Sequence, residues 1–334
     1  MIFDIYTPEK VTEKAKALFK HERAKDRLDG WFIAKEKELE IYDSLSEYDE
    51  EVKKALIIKE IVKDIPLDLD ENQIFAGTQD DSFARSYALI NPSFKVEEFA
   101  GYCDPAAVFG DIVPNEEFTE ERIKKAKDEF LKTEYAKKLE KVYSESESYT
   151  KEVIYFFEQV TGHLIPDFRF ALKHGLKALI DEMKGKDGNG YKAFVIALEA
   201  ACDLAAKYEK LAREKAETLP EPQKSQFILM ADTLKKVPYN GAENLYEAIQ
   251  SFIILWQMMC LEQAPNPFAF SVGNADRIFE PYRNGLDRDE TAALFKHFLV
   301  FFNVADRSWA ISQNIIVSGR SVCGEDLTNP TTYA

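Results

Sequence analysis

The chain has 334 residues, 46% of them hydrophobic and 13% aromatic, which is enough apolar material for a large core in one or two domains. Its formal net charge of −16 argues against nucleic acid or an anionic membrane as a partner. The longest apolar run, residues 252–261, is shorter than a membrane span, and the N-terminus lacks the pattern of a signal peptide.

Apolar residues recur at helical spacing through most of the chain. The predicted helices are residues 8–47, 50–63, 119 to about 146, 148–160, 168–184, 194 to about 216, about 223–235, 243–262 and 288–303. Thr119 is a candidate N-cap for the helix that follows it, and Gly185 ends the helix predicted over residues 168–184. The sequence therefore predicts a mostly α fold.

A few segments depart from the helical pattern. Residues 73–77 predict a short strand, and residues 314–319 predict a buried one. Residues 78–115 are irregular and aromatic, which predicts a loop that wraps a larger body. Residues 186–190 are glycine-rich but match no phosphate-binding pattern, so they predict a plain turn. No repeat or composition shift divides the chain.

The sequence lacks the usual motifs of metal sites and of hydrolase active sites. The four histidines, His21, His163, His174 and His297, form neither HExxH nor HxH, and no cysteine–histidine set has zinc spacing. EF-hand and GxSxG patterns are also absent. The four cysteines are scattered without a CxxC pair, which favours a reducing, cytoplasmic location.

The stretch from Phe268 to Asp276 is the best candidate for a pocket wall. It follows the most apolar helix, and Glu262 lies just before it. The Ser271 hydroxyl could bind a substrate or bind local backbone. Asp276 is followed by Arg277, which favours a structural ion pair over a catalytic acid.

Two further residues have alternative interpretations. His163 lies in a break between helices, where it could hold a hydroxyl or carry a proton, or be a core histidine bonded to a backbone carbonyl. Cys323 lies two residues before Glu325, which could act as its base, but the surrounding residues favour a turn after the 314–319 strand.

Several segments, in this order, resemble one enzyme family. They are Gly162–Phe168 (GHLIPDF), Val237–Pro238 with Glu247–Phe252 (EAIQSF), Glu262 with Ser271–Asp276 (SVGNAD) and Pro281–Tyr282, and Gln313–Gly319 (QNIIVSG) with Gly324–Asn329 (GEDLTN). They resemble the N-terminal part of glycyl radical enzymes, the pyruvate formate-lyase-like family, and are most similar to its diol dehydratase and choline-lyase branch. Asn274-Ala275 replaces Arg-Phe of the family's SxGRxD pattern, and Ser318-Gly319 replaces Gly-Gly.

The resemblance implies a fold, a ten-stranded α/β barrel of two half-barrels inside a helical shell. Residues 1–334 would be a single domain, incomplete at its C-terminus. The helical shell would cover about 1–190, and the first barrel elements about 191–334.

The resemblance also implies roles for individual residues. His163 and Ser271 would contact the hydroxyl groups of a small substrate, while Asp276, Gly273 and Glu262 would be structural residues near the pocket. No metal ligand and no catalytic residue is expected in this chain. The radical cysteine and the loop that carries the glycyl radical would both lie beyond its end.

The implied partners follow from the same resemblance. They are a small hydroxylated substrate and a radical SAM activating enzyme that installs the glycyl radical; a homodimer is compatible. No cofactor is expected to bind this chain.

Two functions remain open. The first is the N-terminal part of an anaerobic lyase or dehydratase, or of a formate acetyltransferase-like enzyme, which is inactive as this chain alone. The second is a truncated, non-catalytic relative that binds a small molecule or acts as a scaffold.

Overall fold

The computed structural model describes residues 1–24, 30–77, 114, 116–150, 164–262, 271–302 and 314–334. The α-helices are α1 (Pro8–Ala24), α2 (Gly30–Ile41), α3 (Glu50–Asp64), α4 (Glu120–Lys132), α5 (Glu134–Thr150), α6 (Phe168–Lys184), α7 (Asn189–Thr218), α8 (Gln223–Lys236), α9 (Leu245–Glu262), α10 (Ala275–Phe279) and α11 (Arg288–Phe302). Two short strands, β1 (Gly273–Asn274) and β2 (Ile315–Ile316), pair in parallel. The prediction of a mostly helical fold with few strands is confirmed.

Helix α7 is the centre of one core. It packs against α3, α6 and α8. Its buried face is rich in alanine, which lets neighbouring helices approach closely. The buried residues recur at helical spacing: Ala200, Ala201, Leu204, Ala205, Tyr208, Ala212 and Ala216. This periodicity is what predicted the helix from the sequence.

A second core surrounds α9, which is apolar on nearly every side and therefore buried along its length. Phe252 and Trp256 of α9 meet Phe298 and Phe302 of α11, and the last two rings stack with centroids 5.2 Å apart. α1 packs on α11. Val272, Ala275, Ile278 and Phe279 belong to the same core, so β1 and α10 are fixed to its edge.

The predicted strand over residues 73–77 is wrong. Ala76 donates from its amide to Oε1 of Gln250 at 2.7 Å, and its carbonyl accepts from Nε2 of the same side chain at 2.9 Å. The side chain of Gln73 donates to the Gly77 carbonyl at 2.6 Å. Buried glutamines thus satisfy backbone groups that a neighbouring strand would otherwise pair.

The predicted helix from Thr119 is divided in two. Thr119 does cap α4, because its hydroxyl accepts from the Arg122 amide at 3.2 Å. At Thr133 the backbone turns extended (ψ 148°), and its hydroxyl donates to the Phe130 carbonyl at 2.7 Å while accepting from the Ala136 amide at 3.1 Å. The same side chain therefore closes α4 and opens α5.

The remaining helices agree with their predictions more closely. Those over residues 50–63 and 223–235 are confirmed as α3 and α8, and the predicted region 8–47 contains α1 and α2. The helix predicted over 168–184 corresponds to α6, but it is interrupted at Gly175 (φ +73°, ψ 167°), which divides it into two helical segments. α5 reaches Thr150. The rest of the helix predicted over 148–160, and nearly all of the loop predicted over 78–115, lie outside the described residues.

The segment 314–319 contains the predicted strand, but the prediction that it is buried is wrong. Ile315, Ile316 and Val317 are 37%, 45% and 49% exposed. Among the described residues β2 pairs only with β1, and its other edge has no strand partner among them. The apolar composition that predicted burial leaves three aliphatic side chains at the surface.

Candidate functional site

Ser271 lies where two distant segments of the chain meet. Its amide donates to the carbonyl of Leu164 at 2.9 Å, and its hydroxyl oxygen accepts from the amide of Asn314 at 3.2 Å. The residue is only 5% exposed. The backbone around Ser271 is therefore fixed from both sides, and no described residue accepts its hydroxyl proton.

Gly273 is required by both its conformation and its surroundings. It has φ +80°, in the left-handed region that favours glycine. A Cβ at this position would stand 2.7 Å from Cγ2 of Ile165. β1 also pairs Gly273 with Ile315 and Asn274 with Ile316. The close packing of residues 164–165 on β1 therefore depends on this glycine.

Asp276 joins three segments at the start of α10. It is 1% exposed, and its carboxylate accepts from the Arg277 amide at 2.8 Å and from the Ser318 amide at 2.6 Å. The Thr332 hydroxyl also donates to it. Ser318 has φ +58°, an unfavourable conformation for serine that this hydrogen bond helps to hold.

The predicted ion pair between Asp276 and Arg277 is wrong. Consecutive helical residues point in different directions, so the guanidinium does not reach the neighbouring carboxylate. It turns back instead, and Nη2 donates to Oδ1 of Asn274. Hydrogen bonds from Ser318 and Thr332, 42 and 56 residues further along the chain, hold the carboxylate.

Glu280, one helical turn after Asp276, anchors the same C-terminal segment. Its carboxylate accepts from the Thr331 amide at 3.0 Å and from the Thr331 hydroxyl. The turn at Pro330–Tyr333 is closed by a capping box between Asn329 and Thr332. Sequence reasoning singled out neither Glu280 nor these threonines, and the only signal was the resemblance of the GEDLTN segment.

Two predicted site residues are not placed. His163 lies outside the described residues, although Leu164, which follows it, binds Ser271. Glu262 ends α9, but its side chain is not described. Ser271, Gly273 and Asp276 are thus the predicted site residues that the structure brings together.

The other titratable candidates have ordinary roles. His297 is buried, its Nε2 lies 3.0 Å from the Val11 carbonyl, and burial lowers its pKa to about 3. Cys323 is exposed in the turn predicted for it, where the Gly324 amide donates to the Ser321 carbonyl at 2.9 Å. Burial raises the pKa of Cys202 to about 12, which makes this thiol a poor nucleophile.

No metal site or membrane helix is found in the part of the chain that the structure describes. No group of three or more His, Cys, Asp or Glu side chains there could hold a metal ion. None of the helices described is long and apolar enough to cross a membrane. A cleft of about 570 Å³ lies between the start of α11 and residues 326–333, and neither Ser271 nor Asp276 lines it.

Known proteins match both the sequence and the fold. The chain is 26% identical over 202 residues to an isethionate sulfite-lyase of Bilophila wadsworthia (strain 3_1_6), a match that covers 51% of this chain and 24% of that protein. It is 26% identical over 187 residues to a (2S)-3-sulfopropanediol dehydratase of Klebsiella oxytoca, covering 50% and 22%. These names agree with the predicted diol dehydratase branch.

The fold is similar to part of a solved glycyl radical enzyme from Archaeoglobus fulgidus, with a TM-score of 0.71 at 18% identity, covering 96% of this chain and 45% of that one. The glycerol-bound form of the B12-independent glycerol dehydratase from Clostridium butyricum superposes with a TM-score of 0.74 at 19% identity, covering 98% of this chain and 45% of that one. The chain therefore spans less than half the length of that relative. The pyruvate formate lyase-like family model matches residues 7–334, and the chain belongs to this family.

Proposed function

We propose that this chain is the N-terminal part of an anaerobic glycyl radical enzyme, a lyase or dehydratase that acts on a small hydroxylated substrate. The observation that carries the proposal is the convergence at Ser271 of the segment that follows His163 and the segment that begins at Asn314. Together with the segment that contains Ser271, these are three separate stretches that resemble the family pattern. Their packing around one buried serine supports a binding wall.

The Ser271 hydroxyl would act mainly as a donor. Its oxygen already accepts from the Asn314 amide, so its proton is available for a substrate hydroxyl oxygen. The backbone bonds on either side fix the orientation of the serine before a ligand arrives. His163 is proposed as the second hydroxyl contact. Gly273 and Asp276 hold the wall in place without contacting the substrate.

The radical machinery would come from residues beyond these 334. When present, the glycyl radical and its cysteine supply hydrogen-atom abstraction from a substrate carbon. We assign Cys323 no part in this step, because it is exposed in a turn. A radical SAM activating enzyme, a barrel completed by further strands, and a cytoplasmic homodimer belong to the same proposal, as does the single domain over residues 1–334.

The first experiment tests the hydroxyl contact. Glycerol binding to the purified chain would be followed by saturation-transfer NMR in wild type, Ser271→Ala and Ser321→Ala. Ser321 is a matched control, since its hydroxyl also accepts from backbone amides, at 3.2 and 3.1 Å, but it lies in the turn that contains Cys323 and not between residues 164 and 314. We expect Ser271→Ala to weaken glycerol binding about tenfold, because one hydrogen bond is lost, and Ser321→Ala to leave glycerol binding unchanged. Equal binding by all three proteins would contradict the assignment.

A second experiment separates the two candidate functions. Treated anaerobically with an activating enzyme, the chain alone should show no glycyl radical signal and no turnover. The alternative, a self-contained binding or scaffold protein, would also be inactive, but it predicts full amide protection across residues 314–319 in a monomer. The exposed side chains of β2, and its pairing with a single strand among the described residues, favour the first function.

A further inference from the structure

Arg277 carries a positive charge that no described carboxylate balances. The side chain is partly buried, and no hydrogen-bond acceptor for its buried Nε is found among the residues that the structure describes. The neighbouring carboxylate of Asp276 is directed at Ser318 and Thr332. A guanidinium that is partly withdrawn from water without a paired anion loses part of its solvation, so this arrangement suits a bound anion.

The partner of the guanidinium is a neutral amide. Nη2 of Arg277 donates to Oδ1 of Asn274, three residues earlier, which orients the group without neutralising it. Gly319 lies beside it, and a Cβ there would come to 3.9 Å from Nη2. The absence of a side chain at Gly319 leaves one side of the guanidinium uncovered by this residue.

Departures from the family pattern cluster at this point. Asn274 stands where the SxGRxD pattern has arginine, and Arg277 brings a guanidinium back to the side chain of that position. Ser318, which replaces a glycine of the pattern, binds the adjacent Asp276. The positive charge of this chain therefore lies three residues after the position of the pattern's arginine, beside the end of the β1–β2 pair.

We propose that Arg277 is the binding residue of an oxyanion site at the end of β1, for the carboxylate or sulfonate group of a small molecule. The planar guanidinium presents paired N–H donors that match both groups. Asn274 holds it in position. The net charge of −16 repels anions in general, so specific binding would have to come from this local arrangement.

The test measures anion binding by the full chain. Thermal unfolding would be followed in sodium acetate, sodium methanesulfonate and sodium chloride at equal ionic strength, and dissociation constants measured by calorimetry. At an acetate or methanesulfonate concentration ten times the dissociation constant, the midpoint should rise by about 2 °C relative to chloride. A difference between the two probes identifies which oxyanion the site prefers.

Three variants identify the residue responsible. Arg277→Gln should weaken binding of the preferred anion at least tenfold. Arg320→Gln removes one exposed positive charge, which contacts the Gly324 carbonyl in the turn that contains Cys323, and should leave binding unchanged. Asn274→Asp places a carboxylate against Nη2, so it should abolish anion binding in a folded protein. This variant carries the test if Arg277→Gln fails to fold.

The outcomes are decisive in either direction. Anion-specific stabilisation that Asn274→Asp and Arg277→Gln remove and Arg320→Gln keeps would support the site. Equal stabilisation by all three salts, or binding that survives Asn274→Asp, would overturn it. Because the probes have no hydroxyl group, a negative result for glycerol at Ser271 leaves this test unaffected.

Discussion

Replacing Asp276 by alanine should detach the C-terminal segments from α10. The carboxylate is 1% exposed and accepts three hydrogen bonds, two of them from Ser318 and Thr332 in segments remote along the chain. A hydrogen bond to a charged group contributes about 1.5–3 kcal/mol, so the loss of these two bonds to the carboxylate amounts to about 4 kcal/mol. That is a large part of the 5–15 kcal/mol typical of a domain.

The assay is urea unfolding followed by far-UV circular dichroism, together with hydrogen exchange of the Ser318 amide. Asp326→Ala is the matched control, because Asp326 also accepts from a backbone amide and a threonine hydroxyl, both of Thr328, at 2.9 and 2.6 Å, but is exposed. Water can replace its carboxylate, so the unfolding midpoint should not change. Equal midpoints for the two variants, with unchanged exchange at Ser318, would refute the role given to Asp276.

Three further predictions test other contacts. Gly273→Ala and Gly285→Ala impose similar left-handed strain (φ +80° and +82°), about 1–2 kcal/mol each, but only the first meets a neighbouring side chain, so urea unfolding should show it to be less stable by about a further 1 kcal/mol. Gln250→Leu leaves both backbone groups of Ala76 unpaired and should cost about 3 kcal/mol in the same assay, whereas a loss below about 1 kcal/mol would count against the glutamine anchor. Burial lowers the pKa of His297 from 6.5 to about 3, so the stabilisation from keeping the imidazole neutral is complete above pH ~6.5 and is lost as the pH falls from there towards 3. His297→Gln should remove up to about 1.4 kcal/mol per pH unit of this pH dependence of the unfolding free energy. Identical pH profiles for the two proteins would contradict the assignment.

The helices could be predicted from the sequence because their signals are local. The face of α7 repeats every three or four residues, and Gly185 and Thr119 mark the boundaries expected of them. Such periodicity is present in any short window of the chain. The break at Thr133 was missed because a threonine that caps two helices at once looks like an ordinary polar residue in a helical pattern.

Two other errors fall where distant residues decide the structure. Residues 73–77 have the composition of a strand, but Gln250 supplies the hydrogen bonds of Ala76 from 174 residues away. Apolar composition predicted that residues 314–319 are buried, although burial depends on which elements cover β2 and not on its own sequence. Local propensity cannot predict a hydrogen bond from a distant glutamine or the elements that cover a strand.

The candidate site shows the same division between local and distant information. Sequence reasoning paired Asp276 with Arg277 because it was the nearest opposite charge, yet each side chain has another partner. The family resemblance grouped Ser271 with the segments Gly162–Phe168 and Gln313–Gly319, although no local pattern of charge or hydrophobicity links the three. The structure gives the physical reason, because the Leu164 carbonyl and the Asn314 amide bind the same buried serine. Each motif alone is a weak signal, but together they describe one wall. Their order along the chain does not show that they touch, whereas the structure does. This contact makes Ser271 the residue to test first.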